Sequence, residues 1–213
     1  VPRERHVPYQ ITGLARSEVN PVARSLLALL DLARSRWPLS EVLGLLEQEP
    51  ISARFGLNAD ALEQLRTWLR DAGVRWGLDA SHRSSLDLPS SAAHSFTDGL
   101  DRLFLGYAVP DACAQPFADR LAVAGVEGVQ AAWLGTAWYF IESLRSLREQ
   151  LTQPRSAAQW AELFVQTVQR FIDERGSPED LHEVLAALDA FGHQADSTGV
   201  DTDRPGIDKL EFA

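Results

Sequence analysis

The 213-residue sequence contains no methionine, one cysteine (Cys113) and one lysine (Lys209) among its 20 basic residues. Each scarcity excludes something. A single cysteine rules out an internal disulfide framework and a zinc site built on clustered thiolates. The lone lysine stands between Asp208 and Leu210. It therefore makes no P-loop, which needs Lys followed by Ser or Thr after a Gly-rich turn so that the ammonium reaches the β/γ-phosphates, and its polar surroundings argue against Schiff-base chemistry. No apolar run approaches the ~18–20 residues that span a bilayer. The polar start Val1-Pro2-Arg3-Glu4-Arg5-His6 is not followed by the apolar core of a signal peptide. A soluble, cytoplasmic chain with no membrane partner is expected. The missing methionine is what a segment of a longer protein would show, as would a chain processed at its N-terminus.

Acidic residues number 30, and the net charge is -10, which excludes a generally basic nucleic-acid coat. The imbalance is local. Residues 1–110 hold 12 basic and 13 acidic side chains, residues 111–213 hold 8 and 17. Contact with phosphates is therefore expected in the first half, because the second repels them.

Helical periodicity dominates the pattern. Val7 to Ile11 is the exception, a short extended segment with Pro8 in it and no partner strand in sight. Asn20-Pro21 predicts an N-cap and first helical position, with Val22, Leu26, Leu29 and Leu30 on the helix that follows to about residue 34. Val42 to Leu46 predict a second helix stopped before Pro50. Asn58 caps a third, which carries Leu62, Leu65, Trp68 and Leu69 and ends at Gly73. Residues 77–94, rich in Ser, Asp and Pro, read as a loop. Phe96, Leu100, Leu103, Phe104 and Tyr107 form the next stripe, and residues 109–125 read as irregular. The longest helix is expected from about Val126 to Leu151, with Val129, Trp133, Tyr139 or Phe140, Leu144 and Leu147 as its ladder and Gly135 allowing a close backbone approach. Ser156 and Gln159 predict a capping box for a helix to about Glu174. Ser177-Pro178-Glu179-Asp180 opens the last, ending near Gly192. The expected architecture is all-α, about eight helices of irregular topology. Residues 1–19 form an extended segment, 20–192 a helical domain and 193–213 a polar tail.

No constellation of catalytic, cofactor-binding or metal-ligating residues is legible. His6, His82, His94, His182 and His193 include no i, i+4 pair and read as surface or loop residues. Cys113 lies between two prolines with no local base to activate it. The acidic pairs Asp173-Glu174 and Glu179-Asp180 read as helix ends, and Asp201 with Asp203 falls in the tail. Asp208 beside Lys209 is similar to the metal-binding element of PD-(D/E)xK nucleases, but the matching Glu-x-Lys element is absent. Trp68, Trp133 and Trp160 sit on apolar stripes and read as core, whereas Trp76, beside Arg75, is the tryptophan that packing explains least. Residues 51–74 have the rhythm of a helix-turn-helix with Gly56 in the turn. The would-be recognition helix, however, presents Asp60 and Glu63 at its N-terminal turn where a DNA reader carries basic and amide groups. A free-standing DNA-binding regulator is therefore the alternative reading.

Several strings point further. These are Val7-Pro8-Tyr9-Gln10-Ile11, Asn20-Pro21-Val22, Glu41-Val42-Leu43 and Arg54-Phe55-Gly56-Leu57. More specific are Gly73-Val74-Arg75-Trp76-Gly77-Leu78-Asp79 and Arg102-Leu103-Phe104-Leu105-Gly106-Tyr107-Ala108. Together they resemble the RecC family, the gamma subunit of exodeoxyribonuclease V. The resemblance is carried by residues 7–110, and Trp133 to Asp180 is compatible with it. It implies a helicase-like subunit without ATPase motifs, of which this stretch is the helical insertion that interrupts the second motor domain in superfamily 1 helicases of the UvrD type. Residues 1–19 would leave that motor-like domain. The implied partners are the beta and alpha subunits, with DNA reached through the complex in double-strand break repair and recombination. The resemblance transfers no functional residue to this chain and implies a non-catalytic scaffold.

Overall fold

Local capping chemistry sets most helix starts in this protein, seen in a computed structural model that describes residues 20–109, 116–117 and 120–197. Nine α-helices and one 3₁₀ turn occur among the described residues, with no strand beyond two isolated bridges. The all-α expectation holds. Val7–Ile11, His6, Cys113, Asp201, Asp203, Asp208 and Lys209 lie outside the described residues.

Helix α1 spans Pro21–Arg34. The Asn20 side chain accepts from the Ala23 amide at 2.9 Å, and its Nδ2 donates to the Asp180 carbonyl at 3.0 Å. The same residue thus caps one helix and ties it to the start of another 160 positions away. Helix α1 is the hub: it packs against α2 (Leu39–Leu46), α3 (Glu49–Arg54), α7 (Ala131–Leu151), α8 (Ala157–Phe171) and α9 (Pro178–Ser197). Its stripe of Val22, Leu26, Leu29 and Leu32 is buried, as the spacing predicts.

Helix α4 spans Ala59–Asp71, α5 Ala80–Ser84 and α6 Phe96–Ala108. The Asn58 side chain caps α4 through the Ala61 amide at 2.9 Å, and Gly73 ends it at φ +73°, a backbone conformation glycine adopts without steric cost. Helices α4 and α6 both pack on α7, and α8 lies along α9. All contribute to one core. Within it, the buried Phe140 is met edge-on by Phe171 and by the half-buried Phe55, with ring centroids 5.9 and 5.0 Å away.

Five expectations are corrected. Pro50 opens a helix instead of only stopping one, because it occupies the first turn of α3, where its missing N–H costs nothing. The stretch read as a loop over 77–94 contains α5, initiated by the Asp79 side chain accepting from the His82 amide at 2.7 Å. The long helix starts at Ala131 after a 3₁₀ turn over Gly128–Gln130, so Val129 is 90% exposed and is no rung of the core ladder. Gly135 has no neighbour within 4 Å of where a Cβ would stand. The close approaches belong to Gly99, whose Cβ would collide with Val74, and Gly106, whose Cβ would collide with the Val123 carbonyl. Finally, α8 ends at Phe171 and α9 continues through Gly192 to Ser197. There the bare Gly192 lies against Ala161 and Ala158 of α8, so residues 193–197, expected as polar tail, are helical.

Candidate interaction surface

The closest thing to a catalytic cluster is a polar nest where the 77–95 segment meets α7. Asp79 accepts from Ser81 Oγ at 2.7 Å as well as from the His82 amide, and pairs with the Arg145 guanidinium. Arg145 also donates to Thr97 Oγ1 at 3.0 Å and to Glu142 Oε1 at 3.2 Å. Burial alone would raise the Asp79 pKa. Its hydrogen bonds from His82, Ser81 and Arg145, with the charge of Arg145, outweigh that and hold it below 3.8.

His82 is buried, against expectation for a loop residue, and its ring meets Trp37 edge-on at 5.9 Å. Its Nδ1 accepts from the Leu78 amide at 3.0 Å, while Nε2 has no partner of normal hydrogen-bond geometry. Burial, then the positive charge of Arg148, pushes its pKa below 6.5. The Asp79 charge and the Ser35 backbone offset this only in part. His82 is therefore neutral at physiological pH. Asp79 engages the His82 backbone and not its ring, so no carboxylate–imidazole relay forms. The nearby Ser85 hydroxyl donates to the His82 carbonyl at 2.7 Å. The local bonds shape the 77–95 segment, and Arg145 fastens it to α7 through Asp79 and to α6 through Thr97, so the nest acts as a clamp.

Trp76 belongs to the same clamp. The Arg83 guanidinium lies 4.2 Å over its ring, and donates to the Trp76 carbonyl at 3.0 Å and the Ser91 carbonyl at 2.8 Å. The tryptophan that packing explains least is held by a cation, and that cation is itself anchored by backbone carbonyls. The remaining described histidines, His94, His182 and His193, are exposed. Among the described residues no three His, Cys, Asp or Glu gather as a metal-holding group.

In the 51–74 segment, α4 buries Ala61, Leu65, Trp68 and Leu69, and Trp68 Nε1 donates to the Gly125 carbonyl at 3.0 Å. Arg66 pairs with Glu47 of the α2 end and lies 3.5 Å from Glu63. Asp60, Glu63 and Arg70 are exposed. The helix is a packing element with a mixed-charge outer face, and the regulator reading is not favoured.

A different surface went unnoticed in the sequence. Helix α7 buries Leu134, Ala137, Phe140 and Ile141 on one side. On the other, Trp138 is 48% and Tyr139 53% exposed, with Tyr139 leaning on Phe55 at 6.0 Å between ring centroids. The signal was available: from Gly128 to Ile141 no residue is charged, and a helix apolar all round is normally covered all round.

These features define an all-helical domain whose polar clusters fasten its own loops and whose open surface is aromatic. The chain belongs to the RecC family: the RecBCD enzyme subunit RecC fourth domain matches residues 19–208. It is 31% identical to the RecBCD enzyme subunit RecC of Escherichia coli K12 over 159 residues, covering 75% of this chain and 14% of that protein. To the RecC of Mycolicibacterium smegmatis it is 32% identical over 181 residues, 85% of this chain and 14% of that protein. To that of Haemophilus influenzae it is 26% identical over 175 residues, 82% of this chain and 15% of that protein. The chain thus spans only about one-seventh of the length of these relatives. Among the described residues no helix is long and apolar enough to cross a membrane.

Proposed function

We propose that this chain serves as a non-catalytic helical scaffold within an exodeoxyribonuclease V of the RecBCD type, acting in the cytoplasm in double-strand break repair and recombination. In this reading it is the helical insertion of the second, helicase-like motor domain of the gamma subunit. Residues 1–19 lead out of that motor-like domain, residues from 20 onward form the insertion, and the last residues form a polar tail. The domain shapes DNA channels and contacts the beta and alpha subunits. DNA is reached through the assembled complex and held weakly or not at all by this portion alone.

The observation that carries the proposal is the match to the RecC fourth domain across residues 19–208. Two physical features support a scaffold over a DNA-gripping role. The excess of acid in residues 111–213, 17 acidic against 8 basic side chains, repels phosphates. The half-buried Asp79 and Arg145 pair with each other, and the buried His82 ring accepts from the Leu78 amide, so the three are engaged within the domain.

The test takes the full-length polypeptide containing this chain, with its beta and alpha subunits. Co-purification of the three, and loss of ATP-dependent DNA unwinding when residues 20–197 are deleted, is the expected result. The 213-residue chain by itself should hydrolyse no ATP, and should bind DNA weakly, with no sequence preference and with strong salt dependence. ATP turnover by this chain, or tight sequence-specific binding lost in Arg70→Ala, would overturn the proposal.

A further inference from the structure

From the open face of α7 we infer a permanent packing site for a helix that belongs to the same polypeptide but lies outside these 213 residues. The inference rests on the scaffold reading and deepens it by naming a face and its occupant.

The two halves of α7 differ. Its C-terminal half carries Glu142, Arg145, Arg148 and Glu149, the mixed charge of a helix with one wet side. The N-terminal half carries none. It is nevertheless covered on one side only by the described residues, leaving Trp138 and Tyr139 outside at 48% and 53% exposure. One turn before them on the same face, Gly135 leaves a notch with nothing within 4 Å of its Cβ position. A glycine in a helix interior costs roughly 1 kcal/mol relative to alanine, and no contact within the described chain gives that cost a purpose. A second helix crossing at the notch would, because a bare Cα lets two backbones approach closely while flanking aromatic rings close over the crossing.

The uncharged character selects the occupant. Transient partners meet surfaces with polar rims, whereas interfaces buried permanently resemble a core cut in half. An aromatic face left open until subunits assemble would be prone to aggregation. An element that folds together with this one avoids that exposure. The relatives are about seven times as long as the portion this chain matches, so most of the polypeptide that has to pack around this domain lies outside it. The fitting occupant is an apolar helix with small side chains where it crosses Gly135.

The test is site-specific photo-crosslinking in the full-length polypeptide, without DNA or other subunits. Trp138→p-benzoylphenylalanine and Tyr139→p-benzoylphenylalanine place the crosslinker on the open face. Glu149→p-benzoylphenylalanine, on the exposed charged half of the same helix, is the comparator. The expected result is a crosslink from positions 138 and 139, absent from 149, to a peptide of the same polypeptide outside these 213 residues. Gly135→Leu should abolish it with helicity unchanged by circular dichroism. A crosslink to a peptide within the 213 residues, a crosslink between copies in an isotope-mixing experiment, one that forms only once the beta or alpha subunit is added, or none at all would each overturn the inference. Failure of the three subunits to co-purify would sink the scaffold reading and leave this result standing.

Discussion

Arg145 of α7 reaches back 66 positions to pair with Asp79, the residue that starts α5. One carboxylate therefore serves two purposes: it caps a helix of only five residues and fastens that helix to one of 21 residues. A helix this short has no stability of its own, so its existence depends on these anchors.

Asp79→Asn should destabilise the protein by about 1–3 kcal/mol, the usual cost of losing a charge-assisted hydrogen bond at a half-buried site. The pH dependence gives the sign. The folded-state pKa lies below 3.8, so the carboxylate's contribution is complete above the unfolded value and is lost as pH falls through the folded one. Urea denaturation midpoints measured from pH 5 downward should show a wild-type decline that Asp79→Asn lacks in part. Parallel curves for the two proteins would refute the anchor.

The same nest predicts a second slope at milder acidity. His82 is buried and neutral with its pKa below 6.5, so the unfolded chain takes up a proton before the folded one does. Stability is complete above about pH 6.5 and decreases as pH drops toward the folded value. In His82→Gln, whose amide oxygen can still accept from Leu78, the decrease between about pH 6.5 and 5 should flatten. Thermal unfolding across that range decides it, and an unchanged slope means the titrating group is elsewhere.

Arg66 offers a direct contrast between packing and DNA reading. Its guanidinium pairs with the Glu47 carboxylate, itself 43% exposed. Arg66→Ala should therefore cost no more than about 1 kcal/mol and leave DNA binding of the full-length polypeptide unchanged. A selective loss of affinity for one DNA sequence in a competition assay would revive the helix-turn-helix reading of residues 51–74.

Helix starts were legible because their chemistry is local. Asn20, Asn58 and Ser156 each accept from an amide three residues on, and that signature lies within four letters of sequence. What escaped depends on partners far along the chain. Helix α5 is hidden in a Ser- and Asp-rich stretch because Arg145 supplies its anchor. The last helix was expected to end near Gly192 because that glycine's reason for being small, the α8 surface at Ala161 and Ala158, is a tertiary one. Among the candidate sites, His82 was missed because the loop composition around it gives no hint that Trp37 covers it. The open face of α7 was missed because an uncharged stripe reads as core until the structure shows one side bare.

The glycines of α6 and α7 turn that lesson into an experiment. In an exposed helix interior Gly→Ala gains up to about 1 kcal/mol, and Gly135, with space around it, should behave so when the matched domain is probed by urea denaturation. Gly106→Ala should do the opposite. Its Cβ would overlap the Val123 carbonyl, which is backbone tied to the Arg102 carbonyl by the Val123 amide at 3.0 Å and cannot step aside. A loss of about 1–3 kcal/mol is expected from such overpacking, against the helix-propensity gain. If both substitutions shift the denaturation midpoint in the same direction, the close approach at Gly106 is not the reason a glycine stands there. If they diverge as expected, small side chains in this domain have two distinct causes: an internal contact at Gly106 and an open notch at Gly135.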